Sequence, residues 1–140
     1  ATRGVLIQAL YNLAGKPAVE PASFTDVAGT SYADAAAWAE DNGIAGGVGN
    51  GRFDGDSAVT RQQLAKIMVS FAEYQKKDTS KKADLSGHTD VAQMADWAKG
   101  YMETAVGMGL ISGSNNTLNP TGTATRAQVA QLLLDYSKMQ

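Results

Sequence analysis

The chain has 140 residues, 44% of them hydrophobic and 19% charged, with a formal net charge of −2. This is a globular balance with room for a sizeable core, neither a disordered composition nor the basic one that general nucleic-acid binding needs. There is no cysteine, which removes disulfides, thiolate zinc sites and cysteine nucleophiles while fixing no compartment; no apolar run approaches the ~20 residues of a bilayer span.

The opening Ala1-Thr2-Arg3-Gly4 reads as no signal peptide. A first helix is predicted after Thr2-Arg3, with Leu6, Leu10 and Leu13 on one stripe and Gly15-Lys16-Pro17 ending it. Residues 15–23 read as a connector. An Ala-rich helix follows over 32–42, with Ala35, Trp38, Ala39 and Asn42 on one face and Gly43 where a left-handed cap would stop it. Residues 45–58 form a Gly-rich loop with Phe53 as its large anchor. Thr60 and Gln63 make a capping box for the next helix, and Leu64, Ile67, Met68 and Phe71 give it a single apolar stripe. The connector 74–86 carries Lys76, Lys77, Lys81 and Lys82 among polar residues and reads as solvated. A short extra helix is expected at 91–98. The final helix starts after Thr125, which pairs with Gln128 in a second capping box; its stripe is Val129, Leu132, Leu133 and Tyr136.

The chain repeats itself. Thr-Arg recurs at 2–3, 60–61 and 125–126, each time before an apolar run. Upstream, Thr25-Asp26-Val27 matches Thr89-Asp90-Val91, Asn42-Gly43-Ile44 matches Met108-Gly109-Leu110, Gly47 matches Gly113, and Phe53 matches Leu118. The expected organisation is two complete units, 24–74 and 87–138, preceded by the second half of another, 1–15, so that the chain begins in mid-repeat.

The motifs FTDV, YADAAAWAEDNGI, GxGxF and VTRQQ, in fixed order and in two copies, resemble S-layer homology (SLH) repeats over nearly the whole chain. The resemblance implies an all-α fold of helix–loop–helix repeats, packed as a pseudo-three-fold helical prism whose first repeat is incomplete here. It implies an extracellular module of the bacterial cell wall or S-layer that binds cell-wall polysaccharide with acidic pyruvyl groups, in grooves between repeats. The Arg of the family's Thr-Arg-Ala-Glu motif is a main contact, which carries over to Arg3, Arg61 and Arg126. The motif's Glu is Val5, Gln63 and Gln128 here. Gln keeps the capping role and Val5 does not, so the first helix is expected to fray.

The chemistry of the Thr-Arg position points the same way. An Arg at the first helical position sits against the positive end of the helix dipole, at a cost of about 0.3–1 kcal/mol. Three such residues ask for a compensating partner. Free backbone N–H groups together with a guanidinium suit a carboxylate. The other reading is an internal salt bridge to Asp26, Asp54 or Asp90. Trp38 and Trp97 are candidates for stacking on a sugar, although Trp38 lies on the apolar face of its helix. Gly46, Gly47 and Gly113 permit positive φ and close backbone approach to a ligand or to the loop itself. The family's groove arrangement pairs Arg3 with the Gly46-Gly47 loop and Arg61 with Ser112-Gly113, giving two competent grooves and a third, at Arg126, left incomplete.

Other functions have less support. His88 stands alone in a polar connector with no hydrolase, metalloprotease or phosphate-binding motif, and Asp26 and Asp90 sit where Asp is an ordinary cap, so no catalytic residue and no cofactor is expected. The stretch from Asn50 to Gly55 resembles a calcium loop, but it would put Arg52 and Arg61 at ligand positions, so no metal is expected. Nucleic acid and membrane insertion are not expected as partners. A structural role without sugar remains open, in which the incomplete repeat is completed by another chain, for instance in a homo-oligomer.

Overall fold

A computed structural model describes residues 1–21 and 23–139; Ala22, inside the connector 15–23, and Gln140 lie outside it. The described residues are all-helical: α1 (Arg3–Leu13), α2 (Ala33–Asp41), α3 (Arg61–Tyr74), two short 3₁₀ turns (Val91–Gln93 and Asp96–Ala98), α4 (Lys99–Gly107) and α5 (Arg126–Ser137). The extra helix expected at 91–98 is thus a pair of 3₁₀ turns. No helix among the described residues is long and apolar enough to cross a membrane.

The chain forms two compact units, Ala1–Ala58 and Val59–Gln140. The boundary falls inside the sequence repeat 24–74, between its loop and its second helix. Each unit therefore packs the Thr-Arg helix of one repeat against the first helix of the next: α1 on α2, and α3 on α4.

In the first unit Leu6, Ile7 and Leu10 of α1 are fully buried, as are Ala35, Ala36 and Ala39 of α2. Small side chains on α2 let the two backbones come close, and the Leu and Ile side chains fill the gap. Leu13, placed on the same stripe by the sequence, is 50% exposed. It lies in the last turn, where Ala14 and Gly15 already leave the helix. Tyr32 stands at the N-cap of α2 without a side-chain cap bond. Its ring is pressed between Gly4 and Gly55, where no Cβ would fit, and its hydroxyl donates to Asp56 at 3.2 Å.

In the second unit the whole predicted stripe of α3 is buried, and α3 packs on α4, whose Met102 and Ala105 are fully buried. Tyr136 brings α5 in, with its ring 5.5 Å from that of Phe71 and its hydroxyl donating to Gln75. Burial pushes the Tyr136 phenol up to about 12.

Both predicted capping boxes are formed, at Thr60 with Gln63 and at Thr125 with Gln128. At α1 half a box remains: Thr2 Oγ1 accepts from the Val5 amide at 3.1 Å, and Val5 offers nothing in return. Helices α2 and α4 end alike. Gly43 and Gly109 take positive φ, and the next amide reaches back five residues, Ile44 to Ala39 and Leu110 to Ala105.

Candidate functional site

Each of α1 and α3 starts by docking onto the Gly-rich loop of its own unit. Thr2 bridges Ala58, the Arg3 amide donates to the Ser57 carbonyl at 2.9 Å, and the Gly4 amide donates to the Gly55 carbonyl at 2.7 Å. In the second unit Thr60 bridges Thr123, and the Arg61 and Gln62 amides donate to the Gly122 and Pro120 carbonyls, both at 2.9 Å. The third amide of each helix goes to the capping threonine. The free N–H groups expected at these helix starts are therefore engaged, and the helix ends of α1 and α3 do not themselves form anion sites.

The guanidinium groups are held by the same loops. Arg3 donates from Nε to the Phe53 carbonyl at 3.2 Å and from Nη2 to the Gly46 carbonyl at 2.8 Å. Arg61 donates from Nε to the Leu118 carbonyl at 2.8 Å and from Nη2 to the Ser112 carbonyl at 2.7 Å. Among the described residues no ion pair reaches either arginine, so the internal salt bridges to Asp26, Asp54 or Asp90 are absent. Burial lowers the pKa of both arginines, with Asp54 opposing at Arg3 and Asp90 at Arg61; both stay charged at neutral pH.

Asp26 and Asp90, read from sequence as ordinary caps, hold the loop from its other side. Asp26 accepts from the Phe53 and Asp54 amides at 2.8 and 2.9 Å. Asp90 accepts from the Leu118 and Asn119 amides at 2.9 and 2.7 Å. Phe53 and Leu118 are thus each clamped, with N–H on a carboxylate and C=O on a guanidinium. The Phe53 and Asp54 amides hold the Asp26 carboxyl below the usual range. Burial works against the same effect at Asp90, and the Leu118 and Asn119 amides overcome it. The signal for this was in the sequence, in the recurrence of Asp before an anchor residue, but an Asp near a turn suggested a cap.

The two arginines then differ. Arg3 is 6% exposed, with its guanidinium 5.0 Å from the centre of the Phe53 ring. Arg61 has Leu118 where Arg3 has Phe53, and among the described residues no ring covers it. It is half-buried and lines a cleft of about 420 Å³. The cleft's polar lining includes Arg61, Ser112, Gln128, Gln131 and Asp135, and its apolar lining includes Leu64, Leu118 and Leu132. A guanidinium has five N–H donors. Two of those on Arg61 are engaged, and three have no partner among the described residues.

The other predicted site residues separate. Ser112 and Gly113 line the Arg61 cleft. Gly46 meets Arg3 through its carbonyl. Gly46, Gly47 and Gly113 do not take positive φ. Close approach explains two of them: a Cβ on Gly47 would stand 2.8 Å from the Arg52 carbonyl, and one on Gly113 would collide with the Thr117 carbonyl. Phe24 packs over Gly47 and His88 over Gly113 at matching positions, so His88 is a half-buried packing residue rather than a free loop histidine. Trp38 is 1% exposed and packs on Tyr11, which leaves no face for a sugar. Trp97 is 49% exposed on the second 3₁₀ turn and does not line the cleft. Arg126 opens α5, exposed, with no hydrogen bond or ion pair to its side chain among the described residues. In the loop that resembles a calcium site, Arg52 pairs with Asp26 at 3.7 Å and with Asp54 at 3.8 Å. No metal-holding cluster occurs among the described residues.

Residues 23–65 and 89–130 match the S-layer homology domain family. The chain is 37% identical to the surface-layer 125 kDa protein of Lysinibacillus sphaericus, over 77% of the chain and 9% of that protein. It is 31% identical to exoglucanase XynX of Acetivibrio thermocellus, over 79% of the chain and 10% of that protein. With the amylopullulanase of Thermoanaerobacterium thermosulfurigenes it shares 30% identity over 79% of the chain and 6% of that protein. The chain thus spans a tenth or less of each of these relatives.

Proposed function

The chain belongs to the S-layer homology domain family, whose members are cell-surface, wall-associated modules, and on that premise we propose that it anchors a protein to the wall by binding an acidic wall polysaccharide at Arg61. The observation that carries this reading is the state of Arg61. It is oriented by two backbone carbonyls, faces an open cleft, has three donors without a partner among the described residues, and has no carboxylate paired to it. A pyruvate ketal on the polysaccharide supplies the missing carboxylate, and Arg–carboxylate pairing is strong and directional. That similar segments occur in proteins named for a surface layer and for two different enzymes supports a shared attachment role rather than catalysis.

Co-sedimentation with purified wall sacculi, before and after removal of pyruvate, tests the reading. Wild type binds only the pyruvylated walls. Arg61→Ala weakens that binding by about tenfold or more, the equivalent of losing a charge-assisted hydrogen bond. Equal binding to both wall preparations overturns it.

One observation favours a second reading, assembly. The first turns of α1 and α3 each receive a loop, whereas Arg126 and Ala127 of α5 find no such backbone partner among the described residues. A partner that supplies loop carbonyls there completes the pattern. Light scattering tests this: a concentration-dependent dimer that Arg126→Ala dissolves supports it, and a monomer at all concentrations rejects pairing between copies.

A further inference from the structure

We propose that the Arg61 cleft grips its ligand at two ends, with Arg61 taking an anionic group and the Asp135 carboxylate of α5 accepting hydrogen bonds from hydroxyl groups of the same molecule. This rests on the reading of Arg61 given above. Asp135 lines the cleft from α5. Asp135 is exposed at the cleft's edge; its Oδ1 accepts from Gln131 Nε2 at 2.9 Å, and among the described residues Oδ2 has no partner and no cation pairs with it.

The fold does not need this charge. Nine residues after the Arg, α1 carries Asn12 and α3 carries Ser70. In α1 the same helix-stabilising pair is made without charge, from Gln8 Nε2 to Asn12 Oδ1 at 2.9 Å. Asp135 also stands in the last turn of α5, where the helix dipole disfavours a negative group. An unpaired cation and an unpaired carboxylate therefore face one cavity and are not joined to each other. A ligand with a single negative group and neighbouring hydroxyls satisfies both. A polyanion such as a phosphate polymer is repelled by Asp135. The chemistry points to a sugar bearing one carboxylate whose other hydroxyls are unmodified.

The test is calorimetric titration of the full chain with a methyl hexopyranoside carrying a 4,6-pyruvate ketal, and with the same glycoside after O-methylation of its two remaining hydroxyls. Asp135→Ser, the residue α3 carries at this register, weakens binding of the unmodified ketal by about tenfold, and O-methylation does the same to wild type. Combined, the two changes cost little more than either alone. Asp135→Asn, the α1 pattern, loses less than Asp135→Ser and controls for folding. If Asp135→Ser binds like wild type, or its loss adds fully to that of methylation, the proposal is overturned. Failure of the underlying reading looks different: Arg61→Ala then keeps full affinity for the ketal. A wild type that binds neither glycoside overturns both.

Discussion

Arg3 and Arg61 occupy the same place in two copies of one motif, yet their surroundings differ. Each is anchored to two loop carbonyls, and each loop is clamped by an aspartate on the far side. Over Arg3 lies Phe53, and the guanidinium is sealed; over Arg61 the matching residue is Leu118, and the guanidinium opens on a cleft. The anchoring geometry is thus structural in origin, and accessibility is what separates the arginine proposed to bind from the one that only holds its loop. Replacing each arginine separates the two roles. Arg3→Ala, which removes two hydrogen bonds from a buried charged group, destabilises its unit by about 2–3 kcal/mol in chemical denaturation and leaves wall binding at near its wild-type strength. Arg61→Ala costs less stability, because water replaces part of what is lost, and it removes binding.

The aspartates supply the next largest effect. Asp90→Ala strands the Leu118 and Asn119 amides, one of them buried, and lowers stability by about 2 kcal/mol, read as a shifted denaturation midpoint. The same groups set an acid limit. Their carboxyls are held below the ordinary value of 3.8 in the folded chain, so their contribution is complete above that value and is lost as the pH falls through the lower folded values. Melting temperature should be flat from neutrality down to about pH 5 and decline below pH 4, with Asp90→Ala showing a shallower decline.

A third substitution moves one site toward the other. Phe53→Leu removes the ring over Arg3 at a cost of about 1 kcal/mol and is expected to make Arg3 react with the arginine reagent phenylglyoxal at a rate approaching that of Arg61. Unchanged protection of Arg3 would mean that the ring is not what seals it. The smallest effect concerns the caps. Val5→Gln completes the box that Thr60 and Thr125 already have and stabilises α1 by about 0.5 kcal/mol in thermal melts.

Much of this was legible in the sequence. Helix starts, caps and stripes follow from Thr, Gln and apolar spacing; the three starts and the caps came out as expected, and the stripe is fully buried in α3, while Leu13 of α1 is exposed and Leu133 of α5 is half-buried. The pairing of Arg61 with Ser112 and of Arg3 with Gly46 was expected from the resemblance to the family's groove arrangement rather than from the residues themselves. What was not legible depends on long-range packing. The role of Asp26 and Asp90 lies in amides 27 and 28 residues away along the chain. Whether an arginine is covered depends on the residue above it, and Phe53 against Leu118 looked like an exchange of equivalent anchors. Gly47 and Gly113 are needed because a carbonyl and a ring approach them, and dipeptide-level reasoning assigns glycines to positive φ instead.

The central claim is that Arg61, and not Arg3, meets an acidic glycan. It is tested most directly by following the side-chain Nε–H signals of both arginines by NMR while purified pyruvylated wall polysaccharide is added. The account predicts a saturable shift at Arg61, absent with depyruvylated polysaccharide, and a stationary Arg3. A shift at Arg3 with Arg61 unmoved, or no response at Arg61 to a polysaccharide that the chain binds, contradicts it.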